Sequence, residues 1–424
     1  MKSRGTVLAG LLLGTLVIGT ACDSGGPSTT DGVGDSVSSA GEIAAQQEDL
    51  RRSTALEAAR FQIGSYDYAA VEDTLEGIDT PEAQQLRDQA AAGQAEAVVW
   101  EDNGTISHVF VHSLIVDPDR AFDGDHMQQG YLDYMVTLKE FEAILEQFHA
   151  NDFVLVSPDD IAALDADGQM QYQDILLPPG KKPLVLSQDD VNYYEYMEQD
   201  GFAKNLVLDE DGSVTNTYID ADGEEHRGAY DVVPVVDRFV DEHPDFSYRG
   251  AKGILAVTGY NGVLGHRTSE SEYPDDPDIA AKQADATEVA EALKEDGWVF
   301  ASHSWGHLSM TTSGMDRMRR DTALWAAEVQ PIVGQTHHLI YPFGADISRV
   351  PPYAGAKYEL LQDAGFQFFY GVDTSTPHWM QRHEGYLRQA RINLDGLTFD
   401  RDLAGRGFLD PFFDLDAVLD PARP

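Results

Sequence analysis

Cysteine is all but missing from these 424 residues, Cys22 being the only one. No internal disulfide can form, so that thiol needs another reason to be there. Basic residues are scarce too: 29 lysines and arginines face 73 aspartates and glutamates, a formal net charge of -44. A surface this acidic repels phosphate backbones and excludes nonspecific nucleic-acid binding. It suits a secreted protein of a salt-tolerant organism. The apolar run at 7–18 is shorter than the ~20 residues an α-helix needs to span a bilayer.

That run follows a basic Met1-Lys-Ser-Arg4 and precedes small residues, the pattern of a secretory signal. Gly19-Thr-Ala-Cys22 resembles a bacterial lipoprotein signal. The resemblance implies a signal peptide over 1–22, a lipid on Cys22, and attachment to the extracellular face of the cell membrane. Gly19 stands where leucine is usual, so cleavage after Ala21 and a secreted chain are the alternative. Residues 23–47, rich in Ser, Gly, Thr and Asp, offer too little apolar surface to order and predict a flexible tether. Over 48–100 the apolar spacing turns helical, with Ala55, Ala59, Ile63, Leu75, Ala83 and Leu86. This region resembles one and a half tetratricopeptide repeats. Solenoids need about three units, which favours a stalk or a flanking support over a peptide-binding array.

The first chemical signal lies mid-chain. Pro183-Leu-Val-Leu-Ser-Gln-Asp-Asp190 is a short apolar run that stops at two adjacent carboxylates. Such a run reads as a buried parallel strand, and ligands bind beyond the carboxyl ends of these strands. Read alone, the pair also fits a turn with a helix cap at Asp189 or Asp190. A second run, Gly297-Trp-Val-Phe-Ala-Ser-His303-Ser-Trp-Gly-His307, ends in two histidines four apart. With His303 closing a strand and His307 one turn into a following helix, both imidazoles face one point. Two nitrogens and one carboxylate oxygen leave a tetrahedral zinc an open position, the catalytic pattern. A third run, Thr336-His-His-Leu-Ile-Tyr341-Pro-Phe-Gly344, again ends in a turn-forming motif.

Strand-like and helix-like segments alternate through the remainder, which argues for an α/β parallel sheet or barrel. Strands are expected at 107–112, 153–156, 252–259, 298–302, 338–341, 366–370 and 386–392 in addition to the run before Asp189. Thr137-Leu-Lys-Glu140 is a capping box, followed by Phe141, Ile144, Leu145 and Phe148 at helical spacing. Asp-Gly pairs within 206–228 suggest a hairpin near the site mouth.

Taken in order, Asp189-Asp190, His303-Ser-Trp-Gly-His307 and Tyr341-Pro-Phe-Gly344 resemble the three marks of the polysaccharide deacetylases, a family of carbohydrate esterases. The resemblance implies a distorted (β/α) barrel of seven strands, here over 101–410 with a C-terminal tail at 411–424. It implies removal of acetyl groups from an N-acetylated extracellular polysaccharide or a peptidoglycan sugar. Asp190, His303 and His307 would hold a divalent metal, zinc by preference, and Asp189 would be the general base. A backbone N–H of the Tyr341-Pro342-Phe343-Gly344 turn would stabilise the oxyanion, and Trp379 would line the sugar groove. His338 reads as a core residue.

Two positions depart from the family pattern. The arginine that orients the base is Tyr341 here, and the histidine of a Leu-x-His motif has no counterpart in Tyr386-Leu-Arg-Gln-Ala-Arg391. An amide cannot expel its amine until the nitrogen is protonated, so the acid must come from elsewhere. His112, at the end of the first strand, leads, followed by His378 and His383. The departures also motivate a second reading, a surface lipoprotein that binds glycan on this fold without turnover.

Overall fold

The structure, a computed structural model, describes residues 33–424, so the signal at 1–22 and Cys22 lie outside the described residues. The chain divides into two compact units between Ala95 and Glu96. No described helix is long and apolar enough to cross a membrane.

In the first unit a helix runs Val33–Gly64, followed by Ala70–Thr74 and Pro81–Glu96. The first helix begins within the stretch expected to be a tether. Its Ser and Gly residues mask a following Glu42-Ile-Ala-Ala-Gln-Gln-Glu48, which is made mostly of strong helix formers. Further on, helices continue to Glu96, and Val98–Val99 is already strand. Ala55, Ala59, Ala83 and Ala90 let the helices approach closely around Leu56, Val71, Leu75 and Leu86. Arg87 donates to the carbonyls of Leu75 and Ile78, at 2.8 and 3.3 Å.

The second unit is a closed barrel. Seven strands, numbered here as barrel strands, are β1 Ser107–Val111, β2 Lys182–Gln188, β3 Ile254–Val257, β4 Val299–Ser302, β5 His338–Ile340, β6 Phe368–Val372 and β7 Tyr386–Asn393. Each pairs in parallel with the next, and β7 pairs with β1 to close the ring. The apolar strands are buried on both faces, as parallel strands covered by helices must be. Phe153–Leu155 stays outside the ring. Its ladder is with Lys182, Pro183 and Leu184 at the start of β2, whose far end pairs with β3, and a single bridge joins Leu155 to Ser247. Eight strand-like segments therefore give a seven-stranded ring.

The capping box forms as expected, and helix Leu138–Ala150 buries Phe141, Ile144, Leu145 and Phe148. The insertion is larger than a hairpin. Ala203–Leu208, Val214–Ile219 and Glu225–Gly228 make a three-stranded antiparallel sheet, because Asp211-Gly212 and Asp222-Gly223 each provide a turn glycine with positive φ. Nor is 411–424 a free tail. Phe412 and Phe413 are buried against Phe153 and Phe148, and Arg423 pairs with the buried Glu140 of the capping box at 2.7 Å.

Candidate metal centre at the mouth of the barrel

Parallel strands bring their C-terminal ends to one mouth, and the three motifs meet there. Asp189 and Asp190 follow β2, His303 follows β4, and Tyr341 follows β5. His303 Nε2 lies 3.8 Å and His307 Nε2 3.6 Å from Asp190 Oδ1, while Asp189 Oδ2 is 3.9 Å from His303 Nε2. Ligands of a tetrahedral zinc stand ~3.3–3.6 Å apart, given bonds of 2.0–2.2 Å, so Asp190, His303 and His307 fit one ion. The tautomer fits as well. His303 Nδ1–H donates to the Ile340 carbonyl at 2.9 Å, which leaves the Nε2 lone pair facing Asp190. Burial, partly opposed by Asp189 and Asp190, pushes the His303 imidazole down to about 4 and keeps it in the neutral, ligating form.

The two histidines do not share a helical face. Residues 303–307 form a turn, and the next helix starts only at Met315. Asp321 from that helix accepts the N–H groups of Trp305 and Gly306 at 2.9 and 2.7 Å, and the Ser304 hydroxyl accepts from Leu308 N–H at 2.8 Å. Asp190, Ser304 and His307 have φ of 59°, 58° and 48°. Non-glycine residues hold such angles at a cost, and the surrounding bonds keep them there.

Asp189 is held by a residue the motifs do not contain. Arg391 on β7, fully buried, grips it with Nη1 to Oδ1 at 2.6 Å and Nη2 to Oδ2 at 2.8 Å. Burial works to raise the Asp189 pKa, but Arg391 and then His303 outweigh it and hold the carboxyl well below its usual range. A buried chain supports the guanidinium. Gln389 Nε2 donates to Ile106 O at 2.9 Å, so its Oε1 accepts from His108 Nδ1–H at 3.1 Å. His108 Nε2 then accepts from the Ser187 hydroxyl at 2.9 Å, and Ser187 Oγ accepts from Arg391 Nη1 at 3.1 Å. Tyr341 in the third motif takes no part in this pairing; the arginine comes from the last strand.

The register of β1 on β2, Val111 opposite Gln188, sets His112 level with Asp189. His112 acts electrostatically on Asp189 and Asp395, and its buried Nδ1 has no hydrogen-bond partner among the described residues. The other acid candidates stand apart. His383 pairs with Tyr386 at the start of β7, the end away from the mouth, and stacks on its ring. His378 is exposed in the loop before Met380–His383.

In the third motif the side chains divide. Tyr341 and Pro342 are buried, and the Tyr341 hydroxyl donates to Tyr353 at 3.0 Å, so that ring belongs to the core. Phe343 is 72% exposed and packs edge-on to His307 with ring centres 4.4 Å apart. Trp379 lines a cavity of about 500 Å³ beside Gly344, Val372 and Arg388, whose guanidinium lies 5.2 Å from its ring. Tyr194 also went unread in the sequence. Its hydroxyl donates to Asp190 Oδ1 at 2.7 Å, and its ring is stacked between Tyr196 and Tyr260. A tyrosine four residues after the Asp pair was the available signal.

No protein-family model matches the sequence, and none of the curated proteins does. Among solved structures, a Streptococcus pyogenes deacetylase, PplD in complex with acetate, is similar over 72% of this chain and 98% of its own, at 13% identity and a TM-score of 0.35. A likeness that distant leaves the site to be understood from its own geometry.

Proposed function

We propose that this chain is a metal-dependent hydrolase that removes N-acetyl groups from sugars of an extracellular polysaccharide or peptidoglycan. One observation carries it: three metal-ligating side chains converge beside a carboxylate that a buried arginine keeps ionised. The motif resemblance to polysaccharide deacetylases supplies the substrate class. Asp190, His303 and His307 would hold zinc, which when bound acidifies a water toward neutrality and polarises the acetamide carbonyl.

Asp189 accepts the proton of the attacking water. Its low pKa makes it a weak base, sufficient for a water already acidified. Arg391 fixes the carboxylate's orientation and keeps it ionised until the water's proton arrives. In the third motif, Tyr341 N–H donates to Tyr370 and Gly344 N–H to Tyr341, and proline has no N–H. That leaves Phe343 N–H to be offered to the oxyanion. His112 delivers a proton to the leaving nitrogen, and the exposed Phe343 ring and Trp379 border the sugar. Cys22 would carry the lipid that anchors the chain to the membrane; mass spectrometry of the mature N-terminus tests this, and an unmodified start would make the protein a secreted one.

Binding without turnover loses one of its two grounds, since Arg391 supplies the missing arginine. The deciding experiment is metal analysis of the purified protein alongside acetate release from chitooligosaccharides and peptidoglycan. Acetate that depends on the metal is expected. Stoichiometric metal with no acetate from any glycan would instead favour the binding protein.

A further inference from the structure

A second group of metal-ligating side chains lies at the opposite end of the barrel. Asp159 sits in the turn Pro158–Ile161, and His337 and His338 stand where β5 begins. His337 Nε2 is 2.9 Å and His338 Nε2 3.3 Å from the same oxygen, Asp159 Oδ1. His338 is 1% exposed, yet its Nε2 makes no directional hydrogen bond among the described residues. Its contact with the Asp159 carboxylate at 3.3 Å is an undirected one, and a second imidazole stands beside the same oxygen. The other ring nitrogen is secured, with His338 Nδ1 2.9 Å from the Tyr370 hydroxyl. Such a bond to the far nitrogen is how proteins orient a metal-bound histidine.

We propose that Asp159, His337 and His338 form a second, independent site for a borderline first-row divalent cation such as zinc. Two imidazoles and one carboxylate suit that class and not magnesium or calcium. Zinc requires donors ~3.3 Å apart; His338 already stands at that distance, and the half-exposed His337 reaches it by a small rotation. No lysine or arginine among the described residues bonds Asp159. This separates it from the cluster His149, His243 and Asp245, where Lys181 Nζ already lies 3.2 Å from the carboxylate. An ion at Asp159 would tie the Pro158–Ile161 turn to β5, far from the mouth, and its role is structural.

The test is zinc stoichiometry of the purified chain, stripped with a chelator, re-equilibrated with zinc and measured by plasma mass spectrometry. The parent is expected to hold two ions, and His337→Ala and His307→Ala one each. The double variant is expected to hold none. His337 is half-exposed, so alanine there leaves no buried cavity, and the change leaves the carboxylates intact. Asp159→Asn is the second variant and is expected to match His337→Ala. Zinc that remains at the parent level in both variants is an adventitious ion only, drawn by the acidic surface, and overturns the proposal. A parent with one ion that His307→Ala alone removes overturns it as well. A parent with one ion that His337→Ala removes and His307→Ala does not would uphold this site and sink the catalytic one.

Discussion

The rim of the barrel and the interior just beneath it use the same residue types to opposite ends. At the rim, His303, His307 and His112 stand around two carboxylates, on backbone that holds Asp190 and His307 at positive φ. Beneath it, His108 hydrogen-bonds only to neutral groups, an amide and a hydroxyl, at 3.1 and 2.9 Å. Arg391 belongs to both, donating from Nη1 and Nη2 to Asp189 and from Nη1 also to Ser187. His112, just past β1, keeps a buried nitrogen unpaired among the described residues, as a proton donor would need. His108, four residues earlier on β1, has both nitrogens bonded and serves the fold.

The largest effects are expected at the rim. Asp190→Ala, His303→Ala and His307→Ala should strip the mouth of its metal and abolish acetate release. Asp189→Asn should keep the metal and lower kcat about a thousandfold, within the range for losing a general base. Metal content and single-turnover acetate release separate the two cases. Near-full turnover of Asp189→Asn, with chemistry limiting, would remove Asp189 from its role and erase the distinction between base and ligand.

Arg391→Met tests the link between the two regions. It leaves Asp189 buried without its counter-ion, and breaking a buried pair costs about 3–5 kcal/mol. Urea unfolding should register that loss. Arg391→Lys should recover only part of it, because an ammonium cannot match the two-pronged grip. Unchanged stability in Arg391→Met would mean that Asp189 is compensated from the rim alone.

How legible these regions are in the sequence follows from the distance over which their parts meet. The Asp pair, His303, His307 and the Tyr-Pro-Phe-Gly turn were legible because each closes an apolar run, and a parallel barrel gathers strand ends. His112 was legible for the same reason. The geometry of the histidine pair was not, since the turn rests on Asp321, 15 and 16 residues beyond the N–H groups it accepts. Arg391 meets Asp189 across 202 residues, and no local pattern distinguishes a buried arginine on β7 from an exposed one. The docking of 411–424 was hidden likewise: Phe412 and Phe413 are visible as apolar residues, but their partners Phe153 and Phe148 lie in the first third of the barrel.

His112→Ala is expected to lower kcat/KM about a hundredfold, the lower end for a general acid, with metal content intact. An acid must be protonated to act, so the parent rate falls as pH rises through its pKa. In the variant that alkaline limb should vanish. A variant that keeps the parent profile would place protonation on Asp189 returning its proton and make His112 a bystander at the rim.

His108→Gln carries the smallest effect and probes the interior by its charge. Burial, then Arg391, holds the His108 pKa well below its ordinary 6.5. The unfolded chain binds a proton as pH drops below about 6.5 while folded His108 does not, so stability falls as pH falls. The contribution is fully present above that unfolded value and is lost down to the folded pKa, at about 1.4 kcal/mol per pH unit. Glutamine keeps an acceptor for Ser187 and a donor for Gln389 but takes up no proton. The variant should therefore show a shallower fall in unfolding free energy between pH 6.5 and 5, by about that slope. Measured in urea at several pH values, a variant slope equal to the parent's would show that His108 is protonated in the folded barrel, beside Arg391, and that the interior is as charged as the rim.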